Sequence, residues 1–214
     1  MRPNSNISFH SSIDKNLPKE YADFYATEKE YLQSAILPNA LVCDIWCWDG
    51  RNIQDIFSIT QNIVGVDYDF ECIHHLETLY EHTWLQFICA DAAALPLESE
   101  RFDTVICMMS WLNFWDKKDL SLQEMKRIIK PSGSIILSVF SEDALPIRLQ
   151  VYKDIWIKIK EIIWGKVIFD ENFWANTSEQ FTQQELLEYF ERNQLQVISL
   201  QKRWIGYICT LKKI

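Results

Sequence analysis

The sequence predicts one doubly wound α/β domain, built on a seven-stranded, mostly parallel sheet whose last strand runs antiparallel. Three observations carry this. Short apolar runs alternate with helical stretches, the pattern of βαβ units. The first five runs are rich in Val, Ile, Phe and Cys with little polar alternation, as strands covered on both faces require. Two further runs near the end are separated by only a few residues, which suits an antiparallel pair closing the sheet.

The elements follow in order. Lys19–Leu37 reads as one or two helices before the first strand, Leu41–Trp46. Asn52–Thr60 is helical, Ile63–Asp67 a strand, Phe70–His82 a helix and Gln86–Ala90 a strand. Phe102–Met109 and Ser134–Phe140 are strands flanking a helix at Leu120–Ile129. Phe181–Asn193 is a helix whose start carries a capping box, Thr182 with Glu185 three residues on. The closing strands are Gln196–Lys202 and Gly206–Lys212, the final one expected to insert between its neighbours. Residues 141–180 exceed any simple crossover and read as a lid-like insertion within one domain spanning 1–214. In it, Pro146–Trp164 is expected as one helix, with Ile147, Val151, Ile155, Ile159 and Ile162 as an inward stripe and Gly165 as C-terminal cap.

Composition argues against several functions. A net charge of −9 disfavours a nucleic-acid surface, which needs clustered Lys and Arg. No apolar run approaches the roughly 18 residues of a membrane span. The polar opening lacks the apolar core of a signal peptide, and six cysteines show no C-x-x-C pair, so free thiols and a cytoplasmic location are expected. No His/Cys/Asp grouping has zinc spacing, so no metal is expected.

In an open parallel sheet, ligands bind at the carboxyl ends of the strands, where strand order reverses. Here those ends are specialised. The first strand runs into Cys43-Asp44-Ile45-Trp46-Cys47-Trp48-Asp49-Gly50. The second ends Gly65-Val66-Asp67-Tyr68, and the third Ala90-Asp91-Ala92. Phe102-Asp103-Thr104-Val105 opens the fourth, and Lys130-Pro131-Ser132-Gly133 precedes the fifth. A carboxylate at one strand tip is commonly a turn or a helix cap. Three in succession point to a ligand.

This ordered set resembles the class I S-adenosylmethionine-dependent methyltransferases acting on small molecules and lipids, over residues 20 to 212 or so. The resemblance implies a Rossmann-like methyltransferase fold, S-adenosyl-L-methionine as cofactor and a small-molecule or lipid-like acceptor methylated on O, N or C. It places Asp44, Trp46 and Gly50 on the cofactor loop, Asp67 on the ribose hydroxyls, Tyr68 along the adenine, Asp91 and Ala92 at the adenine edge, and Met108 at the tip of the fourth strand. Tyr21, Tyr25, Ser110 and Trp111 become acceptor-side candidates, while no catalytic residue is assigned. Met108-Met109-Ser110-Trp111 departs from the proline-rich tetrad of exocyclic-amine methyltransferases.

One departure from the family is pronounced. Trp46 and Trp48 stand where it has glycines, in a chain with 9 Trp and only 5 Gly. Average usage is about 7% Gly. Glycine there lets the backbone approach the cofactor. Three explanations stay open: an inactive pseudo-methyltransferase acting by protein–protein contact with its pocket plugged by indoles, a different flat ligand, or glycines misread through a reassigned UGA codon. Trp84, before the third strand, also sits where the family has glycine. For the Pro146–Trp164 segment, a lid over the acceptor side competes with a membrane-surface helix.

Overall fold

Five apolar segments pair side by side in parallel, because each has two hydrophobic faces to hide. In the computed structural model, which describes residues 17–109, 117–170 and 177–214, these are β1 (Val42–Ile45), β2 (Ile63–Asp67), β3 (Gln86–Cys89), β4 (Phe102–Cys107) and β5 (Ile129–Phe140). β1 and β2 are buried along their whole length. The helices between them are α1 (Lys19–Ala35), α2 (Arg51–Ile56), α3 (Phe70–Leu79) and α4 (Lys118–Ile128). After β5 come α5 (Leu145–Asp154), three short strands β6 (Ile159–Ile163), β7 (Lys166–Phe169) and β8 (Thr177–Ser178), α6 (Gln183–Arg192), and the closing strands β9 (Leu195–Arg203) and β10 (Gly206–Lys213).

The main sheet has the order β3-β2-β1-β4-β5-β10-β9. β10 lies between β5 and β9 and is antiparallel to both, as the sequence predicts. Two apolar layers cover the sheet. One gathers Phe102, Met125, Leu186 and Phe190, the other Phe24, Leu32, Ile53, Ile56 and Leu76. Burying each such side chain contributes about 1.5–3 kcal/mol. The expected capping box starts α6: Thr182 Oγ1 accepts from the Glu185 amide at 3.3 Å, and Glu185 Oε2 accepts from the Thr182 amide at 2.7 Å. Lys130, which the structure places inside β5 rather than in a turn before it, pairs with Asp103 at 2.7 Å, and Asp103 also accepts from the Leu41 amide, so the starts of β5 and β4 are tied together.

The insertion differs from expectation. The helix ends at Asp154, and the second half of the expected helix holds β6, which forms a hairpin with β7, to which β8 adds a third strand. Two local features end the helix early. Trp156 takes a left-handed conformation (φ 62°), with its amide on the Lys153 carbonyl and the Ile157 amide on the Tyr152 carbonyl, a Schellman stop. Trp164 and Gly165 then form a two-residue turn, with Ile163 paired to Lys166, so Gly165 is a turn residue rather than a helix cap. Ile147 and Val151 do pack against the core, but Ile162 is exposed, and the buried side chains of α5 are Arg148 and Tyr152. Among the described residues, no helix is long and apolar enough to cross a membrane.

Candidate functional site

The sheet reverses direction of winding at β1, whose neighbours are β2 and β4. In open α/β sheets such a switch is where a ligand crevice lies, at the carboxyl edge. The loop leaving β1 crosses it. The amides of Trp46 and Cys47 both donate to the Val66 carbonyl, at 2.7 and 3.1 Å, which bends the loop over the tip of β2. Every second residue of this loop is left-handed: Trp46 (φ 67°), Trp48 (φ 51°) and Gly50 (φ 83°). The rings of Trp46 and Trp48 lie 6.3 Å apart.

Asp44 is fully buried in β1. Its Oδ1 accepts from Asn52 Nδ2 at 3.4 Å, while its Oδ2 has no hydrogen-bond partner among the described residues. Burial pushes its carboxyl up to about 8, against the opposing pull of Asn52. Asp67 sits one strand over. Its two oxygens accept from the Trp48 and Asp69 amides, at 3.0 and 2.9 Å. Burial again dominates and pushes it up to about 6. The Tyr68 amide also bonds to it, and a carboxylate has about four acceptor positions, so about one remains for a ligand hydroxyl. Tyr68, next in the chain, is 69% exposed and offers a free ring face.

β3 brings the third carboxylate. Asp67 pairs with Cys89, and the Ala90 amide donates to the Asp67 carbonyl at 2.8 Å. Asp91 is two residues beyond Cys89, so its Cα lies on the order of 8 Å from that of Asp67, given strands about 4.8 Å apart. Burial raises the Asp91 carboxyl, but the Ala93 amide and the Lys117 ammonium, at 2.8 and 2.9 Å, outweigh it and hold it below its usual value. Ala92 and Met108 are buried, Met108 immediately after β4. Asp44, Asp67, Tyr68 and Asp91 thus share one edge, around an orphaned buried oxygen and a loop of left-handed residues. Those carboxylate acceptors suit the hydroxyls of a nucleoside, and the Tyr68 ring a planar base.

The acceptor-side candidates divide. Tyr21 is buried, and its ring meets Phe140 edge-on at 5.6 Å. Burial raises its hydroxyl pKa, ahead of the lowering by Arg148. Tyr25 lies beneath the Arg51 guanidinium, 4.2 Å away. Tyr21 packs in the core, while Tyr25 stays partly exposed. Ser110 and Trp111 lie outside the described residues, as do Phe114, Trp115, Phe173 and Trp174.

Two groups escape the sequence reading. Glu28 is fully buried on α1; Arg51 Nη2 lies 2.9 Å from its Oε2, and Ser138 of β5 donates a short hydrogen bond to its Oε1. Ser138 in turn accepts from the Met109 amide at 2.6 Å. This relay ties α1, α2, β4 and β5 together behind the crevice. Its signal was a lone glutamate on the apolar stripe Tyr21, Phe24, Leu32. Arg148 of α5 is also buried, 3.7 Å above the Phe140 ring at the tip of β5. Nothing in the local pattern marks it apart from a surface arginine.

Residues 43–137 match the methyltransferase domain family. A demethylmenaquinone methyltransferase of Staphylococcus saprophyticus is 30% identical over 124 residues, covering 56% of this chain and 52% of that protein. The ubiquinone/menaquinone biosynthesis C-methyltransferase UbiE of Hahella chejuensis is 35% identical over 68 residues, covering 32% of this chain and 27% of that protein. The chain spans about half or less of the length of these curated relatives. Among solved structures, an S-adenosylmethionine-dependent methyltransferase from Clostridium acetobutylicum superposes with a TM-score of 0.67 at 14% identity, covering 96% of this chain and 98% of that one. The PH0226 protein of Pyrococcus horikoshii gives a TM-score of 0.70 at 21% identity over 92% of each chain. Residues 43–137 therefore resemble the methyltransferase domain family, and the chain as a whole shares its fold with the S-adenosylmethionine-dependent methyltransferase from Clostridium acetobutylicum.

Proposed function

We propose that this chain transfers the methyl group of S-adenosylmethionine to a small or lipid-like acceptor, and that the acceptor is a quinol-type aromatic ring methylated on carbon. The observation that carries the methyl-transfer reading is the convergence of Asp44, Asp67 and Asp91 at one sheet edge. The quinol is supported by the names of the relatives the chain matches. When bound, the cofactor supplies a methyl carbon on a positively charged sulfur, so the chain's own task is positioning and exclusion of water. Asp67 holds the ribose through the acceptor capacity that its three backbone amides leave free. Tyr68 lies along the adenine, with Asp91 and Ala92 at its edge. Asp44 takes a ligand N–H or O–H on its orphaned oxygen. Burial of the acceptor against apolar surface suits the partly buried residues of α5, Ile147 and Val151.

A second reading is favoured by one feature, the two indoles on the cofactor loop: an inactive domain acting through protein contacts. Methyl-labelled S-adenosylmethionine supplied with a demethylated menaquinol in detergent separates the two. Label in the quinol is expected. Label in no quinol, phenol or amine acceptor, with no binding of S-adenosylhomocysteine, would leave the inactive domain standing.

A further inference from the structure

Nine non-glycine residues among those described have positive φ, and five of them are tryptophan: Trp46, Trp48, Trp156, Trp164 and Trp204. Tryptophan is only 9 of the 214 residues. A bulky side chain rarely takes this conformation, which glycine adopts freely. Of the six described tryptophans, only Trp84 lacks it.

Each of the five occupies a position built for glycine, for a different local reason. Trp46 and Trp48 alternate with Gly50 along a loop in which all three are left-handed. Trp156 stands at the left-handed residue of a Schellman stop, which is most often glycine. Trp164 and Gly165 (φ 51° and 82°) form the two-residue turn between β6 and β7, and positive φ at both residues is the type I′ pattern. Trp204 and Ile205 connect β9 to β10, with Arg203 paired to Gly206 and positive φ at the first turn residue only, the type II′ pattern that takes glycine there. The side chains gain little in return. Trp156, Trp164 and Trp204 are 91%, 98% and 60% exposed.

We infer that these five positions are glycine in the protein as its host makes it, encoded by UGA codons that the host reads as glycine and that a different code renders as tryptophan. Five such codons double the glycine count from 5 to ten. Three of the positions lie outside the cofactor loop, so the inference does not depend on what the site binds. Its consequence at positions 46 and 48 does rest on the proposed function: the loop becomes a glycine cradle across which a cofactor's backbone-facing edge passes without meeting indoles. The host would then hold a glycine-charged tRNA that pairs with UGA.

The test is to read the five codons in the host's gene and to measure tryptic peptide masses of the protein purified from that host. UGA at all five, with glycine masses, is expected. UGG at these codons, or tryptophan masses, overturns the inference; if UGG comes with binding to anionic lipid vesicles, the exposed indoles are membrane anchors instead. A second measurement uses recombinant protein. Trp156→Gly, Trp164→Gly and Trp204→Gly together are expected to raise the melting temperature, and a lower one counts against the inference. Failure of the glycine form to bind S-adenosylhomocysteine, with UGA codons and glycine masses found, would defeat the proposed function and leave this inference intact.

Discussion

Asp44 is the residue whose state depends most on the site being filled. A carboxyl with an ordinary value near 3.8 is pushed up to about 8 by burial, and Asp67 beside it to about 6. Both folded values are raised, so between about pH 4 and pH 8 the folded chain holds protons that the unfolded chain has released. The stability from these two groups is therefore fully present below about pH 4. It is lost as pH rises, through about 6 for Asp67 and about 8 for Asp44, by at most about 1.4 kcal/mol per pH unit for each group. Asp44→Asn removes one of the two. The variant is expected to melt higher than the parent at pH 8, with the difference shrinking toward pH 5. A difference that does not change with pH would show that Asp44 is ionised in the ligand-free protein. At this scale the site was legible where chemistry and topology coincide. An acidic residue ending a buried strand is conspicuous in the sequence, as Asp44 and Asp67 are. Tyr21 carried no such signal, because an aromatic at the core-facing helix position looks the same whether it lines a cleft or packs on Phe140.

Among the elements, the helices around the crevice are fixed by one buried ion pair. Glu28 of α1 meets Arg51 of α2 and Ser138 of β5. Burial raises the Glu28 carboxyl, opposed by Arg51 and by Ser138. Removing one partner of such a pair leaves an uncompensated charge, typically at about 3–5 kcal/mol. Arg51 keeps 30% side-chain exposure, so the lower end applies: Glu28→Ala is expected to lose about 3 kcal/mol in urea unfolding. A loss below about 1 kcal/mol, the range of exposed pairs, would mean that the contact is idle. The main strands were legible because residues such as Val42–Ile45 and Ile63–Asp67 are apolar on both faces, which only a covered sheet explains. The insertion was not. Ile155, Ile159 and Ile162 match helical spacing by coincidence, and the residues that end α5 and turn β6 into β7 are tryptophans, which carry no turn signal in a sequence. Had positions 156 and 164 read as glycine, Gly165 would have stood in a Gly-Gly hairpin turn, and the stop and the hairpin would both have been visible.

The molecule as a whole places its acidic strand tips at the point where the winding of the sheet reverses, and this is where the account stands or falls. β1 lies between β2, which carries Asp67, and β4, which leads into Met108. The loop over that junction decides whether a cofactor fits. The most direct measurement is a calorimetric titration of S-adenosylhomocysteine into the protein carrying glycine at positions 46 and 48. One molecule per chain is expected to bind. Asp67→Ala in that background is expected to weaken binding at least tenfold, about 1.4 kcal/mol, since it deletes charge-assisted hydrogen bonds to the ribose. No heat of binding at any attainable concentration, or full affinity after loss of Asp67, would contradict the assignment of this crevice to S-adenosylmethionine.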